Sequence, residues 1–162
     1  MAENTMMDGA DWDTRGERYF RDFAETLHAL ELVDSPPEEV FDKFTRLVAR
    51  VLAVPVSLVS IVDEAQGRQF FKSALGLSGA YAERRETPLS HFFCRLVTGG
   101  NRPLVVEHAP SDARVCDNHA VPELGVRRTW READVDVMVD IGACVSDLIR
   151  LRAMIERRFR GG

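Results

Sequence analysis

Apolar and polar positions fall into their clearest pattern between Val56 and Val62. There Val56, Leu58, Ser60 and Val62 interleave with Ser57, Val59 and Ile61, and both series are mostly aliphatic. A strand that is apolar on both faces is one covered on both sides. Asp63, Glu64 and Gly67 supply turn chemistry, and Arg68 to Lys72 resumes as a second strand. The pattern therefore predicts a hairpin as the spine of the fold. Upstream, the period changes to that of a helix. Tyr19, Phe23, Leu27 and Leu30 share one stripe, and Val40, Phe41, Phe44, Leu47, Val48 and Val51 share another. Ser35-Pro36-Pro37-Glu38 reads as a capping box opening the second of these helices, which stops before Pro55.

Downstream, residues 73–86 carry Gly76 and Gly79 without a clear period and read as a loop. Thr87-Pro88 opens a short helix that Gly99-Gly100 ends, and Leu104 to Glu107 is a short strand. A polar, turn-rich loop follows at 109–118. Thr129-Trp130-Arg131-Glu132 is a second capping box, opening the longest helix, from about Trp130 to Arg158. The organisation predicted is an N-terminal arm over 1–10, one domain over 11–158 and a flexible tail over 159–162.

Composition narrows the function classes. The chain has 162 residues, 45% hydrophobic and 29% charged, ordinary for a globular domain. A net charge of −5 argues against nucleic-acid binding, and there is no apolar run of membrane-spanning length. The acidic, polar N-terminus does not read as a secretory signal. Cys94, Cys116 and Cys144 are an odd number in a chain too large to need disulfide staples, so a reduced cytoplasmic setting is expected.

One ordered set of residues is informative as a set. It runs through Glu17-Arg18, Leu27 with Leu32-Val33-Asp34-Ser35-Pro36-Pro37, Phe41-Asp42, Pro55 to Asp63, Gln69-Phe70-Phe71-Lys72, Gly76-Leu77, Arg85 and Pro88 to Cys94. It closes with Arg102 to Val106, Asp112-Ala113-Arg114, Asp117-Asn118 and Leu124-Gly125-Val126-Arg127. In this order the chain resembles the GAF domain family of bacterial sensory and regulatory modules, over most of 17–152. The resemblance implies an α/β (α+β) fold: an antiparallel sheet, amphipathic helices on one face and a ligand cavity on the other. It implies a non-catalytic signalling module, usually dimeric through its terminal helices. Such modules work with a histidine kinase, a phosphatase or a cyclic-dinucleotide output domain, and no cofactor is expected. The implied ligand-binding positions are Gln69, Phe71, Arg85, Cys94, Asp112 and Asp117. The chain departs from the family after Arg127, where Arg128-Thr129-Trp130 enters the last helix directly. A hairpin of about 20–30 residues is missing, judged from ordinary strand and turn lengths. In the family those strands floor the pocket, so a sheet reduced in strand number and a compromised pocket are expected.

Two other chemistries are open to these residues. His91, Cys94, Cys116 and His119 form two Cys/His pairs that could hold a tetrahedral zinc. Against that, free cysteine in an apolar context is commonly a small core residue, as Cys144 reads here. Cys116 with Cys94 also resembles the cysteine pair of free methionine sulfoxide reductases, GAF-fold enzymes, and Arg114 could lower a thiol pKa there. No cysteine is followed by histidine as a bilin site requires. There is no phosphate-binding glycine loop and no Ser/His/Asp context.

Two structural expectations follow. With the middle hairpin gone, Val56–Val62 should be central, flanked by Gln69–Lys72 and by Leu104–Glu107, since unpaired buried backbone is costly. The open sheet and the long apolar seam of the last helix should be resolved by a symmetric homodimer built on the first and last helices. Phe23, Leu27, Val135, Met138, Gly142, Val145 and Ile149 would form its interface.

Overall fold

A computed structural model describes residues 24–89, 97, 103–118, 121 and 128–160. The described chain is a mixed fold of helices and one antiparallel sheet, the class expected. Residues 24–29 are helical (α1), followed by α2 (Glu39–Leu52), β1 (Ser57–Asp63), β2 (Arg68–Leu75), α3 (Gly79–Arg84), β3 (Glu86–Pro88) and α4 (Glu132–Arg160). α2 forms where its spacing demands it. Phe41, Thr45, Val48 and Leu52 are its buried residues, stepped four, three and four apart. It ends as expected before Pro55, with Ala53 in the left-handed region donating its N–H to the Ala49 carbonyl.

Neither expected capping box forms. Glu38 is the N-cap of α2 and makes no side-chain capping bond, while the Ser35 hydroxyl donates to the Leu32 carbonyl, 2.9 Å away. At α4, the Asp134 carboxylate accepts from the Arg131 N–H at 3.1 Å, so the cap lies two residues beyond Thr129. α4 runs two residues past Arg158, to Arg160.

The hairpin is as expected, with Gly67 at φ 65° and its N–H on the Glu64 carbonyl. Its place in the sheet is not. The strand order is β1-β2-β3, so β2 is central and β1 lies at an edge of the described sheet. Leu104–Val106 has no ladder and does not flank β1. The second neighbour of β2 comes instead from Glu86–Pro88, where Thr87-Pro88 had read as a helix start. The loop expected over 73–86 also contains the rest of β2 and α3.

Pairing shifts register between Val59 and Ser60. Val59 faces Ser73 and Ser60 faces Phe71, which leaves Lys72 as an extra residue in β2. Such a bulge re-aims the side chains around it. Here it turns both Lys72 and Ser73 onto α2, where the Ser73 hydroxyl donates to Asp42 at 2.6 Å and lies 3.0 Å from the Thr45 hydroxyl. The main core unites Leu27, Leu32, Phe41, Ile61, Phe70 and Ile149, with Val145 and Leu148 packed against it. A smaller cluster joins Ala109, Val115 and Val121 to Leu104 and Val106.

Candidate functional site

Three constructions stand out, and the first is a buried charge relay between sheet and last helix. The bulge sends Lys72 into the interior, where it is fully buried. Its ammonium donates to the Ser35 hydroxyl at 2.5 Å and the Pro36 carbonyl at 3.0 Å, and pairs with Glu38 at 2.7 Å. The other oxygen of Glu38 pairs with Arg152 of α4, also at 2.7 Å. Both cations lie over the Phe41 ring, 5.6 and 5.2 Å from its centre. Glu38 thus ties α4 to the bulge through one carboxylate. No sequence pattern marks this Lys72, because lysine beside a strand end ordinarily reads as solvated.

Burial works to raise the Glu38 pKa, but hydrogen bonds from Lys72 and Arg152 outweigh it and hold the carboxyl below its ordinary 4.5. A carboxyl lowered by folding stabilises the fold above its unfolded pKa, and that contribution is lost as pH falls through the folded value. Glu38→Gln should therefore cost about 1–2 kcal/mol at pH 7, less than a fully enclosed pair because Glu38 keeps some solvent contact. Urea midpoints of wild type and variant should converge as pH falls below 4.5. A gap unchanged by pH would refute the relay.

A second knot holds the hairpin turn. Arg68 pairs with Asp34 at 2.5 Å, Glu86 at 2.7 Å and the buried Asp63 at 3.4 Å, and His28 lies 3.6 Å from Asp63. The hydrogen bond to Asp34, then that to Glu86, raises the Arg68 pKa, and Arg68 in turn lowers that of Asp34. Every charge here has a protein partner, so the knot acts as a clasp between the turn, β3 and the α1–α2 connection.

The third is an apolar groove of about 820 Å³ along β1. Val56, Leu58, Leu104, Val106, Val135 and Met138 are among its walls. Trp130 closes one end, its ring N–H donating to the Val106 carbonyl at 3.1 Å and its face lying 4.4 Å from the Arg128 guanidinium. Arg128 also donates to the Leu52 carbonyl. This volume is that of a small-ligand site.

None of the described residues expected to bind ligand lines that groove. Gln69 is buried, donating to the Ser60 hydroxyl and accepting from Thr87 at 3.4 Å. Phe71 is buried as well. Arg85, at φ 54°, spends its guanidinium on the carbonyls of Ser35, Phe71 and Lys72 at 2.9–3.1 Å and stacks on Phe70. These contacts tie the guanidinium to backbone carbonyls of its own fold. Asp112 is held by Arg114 at 2.5 Å, whose hydrogen bonds lower its pKa to about 2, and Asp117 is exposed on the same loop. Cys94, His91, His119 and Phe23 lie outside the described residues. Among the described residues no cluster of three His, Cys, Asp or Glu side chains could hold a metal. Cys116 is a free, exposed thiol, and Arg114 is committed to Asp112 and the Val105 carbonyl instead of to it.

The interface expected on α4 divides. Ile149, and Leu27 from α1, are core residues of their own domain, and Val145 packs against them, so these three are not available to a second chain. Val135, Met138 and Gly142 line the groove. Cys144, expected in the core, is exposed.

No protein-family model matches the chain. Over 89 residues it is 30% identical to a cyclic di-GMP phosphodiesterase of Pseudomonas aeruginosa, a stretch covering 55% of this chain and 14% of that protein. That likeness is compatible with a signalling domain. No helix among the described residues is long and apolar enough to cross a membrane.

Proposed function

We propose that this chain is a non-catalytic regulatory module of the GAF type in cyclic-dinucleotide signalling, acting by self-association or by docking on a signalling partner. The observation that carries this reading is α4. Its inner face is fixed by Ile149 and by Arg152 on Glu38, while Leu151, Met154 and Phe159 stand 55%, 67% and 80% exposed on the same helix. A helix anchored on one side and carrying exposed apolar side chains elsewhere is suited to pass a change in the domain to a second protein. The GAF-like order of residues supports the reading, as does the likeness to a cyclic di-GMP phosphodiesterase. Small-molecule sensing would fall to the groove beside β1, with apolar ligands favoured by its walls.

The competing reading is a thiol enzyme acting on free methionine sulfoxide through Cys116 and Cys94. Two measurements separate them. Light scattering should give twice the 18.2 kDa chain mass at tens of micromolar, on the order of weak association. Incubation with methionine sulfoxide and a dithiol reductant should give no turnover. Turnover abolished by Cys116→Ser would overturn the regulatory reading.

A further inference from the structure

The charges of α4 are sorted by position. Residues 132–149 hold five carboxylates and no base, while residues 150–160 hold five arginines and one glutamate. In a chain of net charge −5 this basic end is an isolated patch of opposite sign. At 100° per residue, Asp136, Asp140, Asp147, Leu151, Met154 and Arg158 fall on one stripe, diametrically opposite the buried Ile149. The stripe is exposed along its whole length. Asp136, Asp140, Arg157 and Arg158 make no ion pair among the described residues, although Arg131, Asp134 and Arg152 nearby are all engaged.

We propose that two copies of this chain pair antiparallel along this outward stripe, the acidic half of each α4 against the basic half of the other. The proposal rests on the reading of the protein as a self-associating module and specifies face and direction. A two-fold axis near Asp147 sets Asp136 opposite the second copy's Arg158. The same register lays Leu151 and Met154 over the small Ala143 and the acidic Asp140, with Arg157 within reach of the acids. At the axis each Asp147 already holds its own Arg150 at 3.2 Å, which neutralises the crossing point. A parallel pair would stack aspartate on aspartate and arginine on arginine, and like charges in contact are unfavourable. A two-fold axis makes one stripe serve both partners, and the stripe is self-complementary only in the antiparallel sense.

Charge reversal at one end decides it. Arg157→Glu with Arg158→Glu makes both ends of the stripe acidic, and Asp136→Lys with Asp140→Lys makes both ends basic. Each variant alone should raise the dimer dissociation constant about tenfold or more, with the urea midpoint of the dilute monomer unchanged because all four sites are exposed. An equimolar mixture should restore the dimeric mass, since at each end of the stripe an acid then meets a base. A wild-type dimer indifferent to either reversal would overturn the antiparallel pairing while leaving self-association intact. A wild-type monomer at tens of micromolar would remove self-association itself. A wild-type monomer that sediments with vesicles of anionic but not neutral lipid would overturn the proposal and assign the basic half to a membrane surface.

Discussion

Gly76→Ala should destabilise the domain by about 3 kcal/mol or more, a large share of the roughly 5–15 kcal/mol that holds a typical domain folded. Gly76 follows β2 at φ 78°, where the chain passes against the residue that leads into β1. A Cβ built there would stand 1.9 Å from the Pro55 carbonyl oxygen and 2.9 Å from its carbon. Both are backbone atoms, so relief requires the strand entrance to move. Gly67 is the control, with φ 65° and nothing within 4 Å of an added Cβ. Asparagine tolerates the left-handed region, so Gly67→Asn should be nearly neutral while Gly76→Asn fails with Gly76→Ala. Equal urea midpoints for the two asparagine variants would show that the close approach to Pro55 does not matter.

Phe41→Ala should cost about 3–5 kcal/mol, the range for emptying a buried aromatic site. Phe41 is 1% exposed, sits in the main core beside Leu32, Ile61 and Ile149, and carries Lys72 and Arg152 on its ring. Its loss opens a cavity and unseats both cations of the relay to Glu38. Phe41→Leu refills much of the volume but restores no ring. Phe41→Leu should therefore recover most of the unfolding free energy while amide exchange near Arg152 stays faster than in wild type. If exchange there returned to wild-type rates with leucine, the ring would be a space filler and the cation contacts incidental.

The parts of this fold written in local order were legible from the residues. α2 buries positions four, three and four apart, with Thr45 and Leu52 in place of the expected Leu47 and Val51, which are exposed, so spacing places the helix before Pro55 though not every residue of its buried face. The hairpin is legible because Gly67 and the acids before it leave few alternatives. Sheet order was not legible, since pairing is decided by contacts distant in sequence. The aliphatic run Leu104–Val106 has strand composition yet packs in a side cluster with Ala109 and Val115. β3 was missed because Thr87-Pro88 has the composition of a helix start as well as of an edge strand, where proline is tolerated. Both capping boxes failed for a physical reason. Ser35 has its hydroxyl engaged by Leu32 and Lys72, and Asp134 reaches the Arg131 N–H first. The groove was half visible: Val135, Met138 and Gly142 stood out as an apolar seam, but the seam lines a cleft in its own chain.

The extra residue in β2 has a consequence for how this hairpin can change over generations. An alternating strand loses its inside-outside phase when one residue is inserted or deleted, and regains it after two. β2 carries such a phase slip at Lys72, so its two halves are out of step by design of the sequence: Phe70 and Ser73, three apart, face the helices together. A single-residue deletion at the slip would give an uninterrupted ladder with β1, which is the local optimum. It would also withdraw the cation that Glu38 shares with Arg152, while Ser73, already opposite Val59, would keep its place on Thr45. The better-formed sheet would thus come with a last helix no longer tied to the strand through Glu38. Lineages that keep the helix coupled are confined to length changes elsewhere, most cheaply in the turn at 64–67.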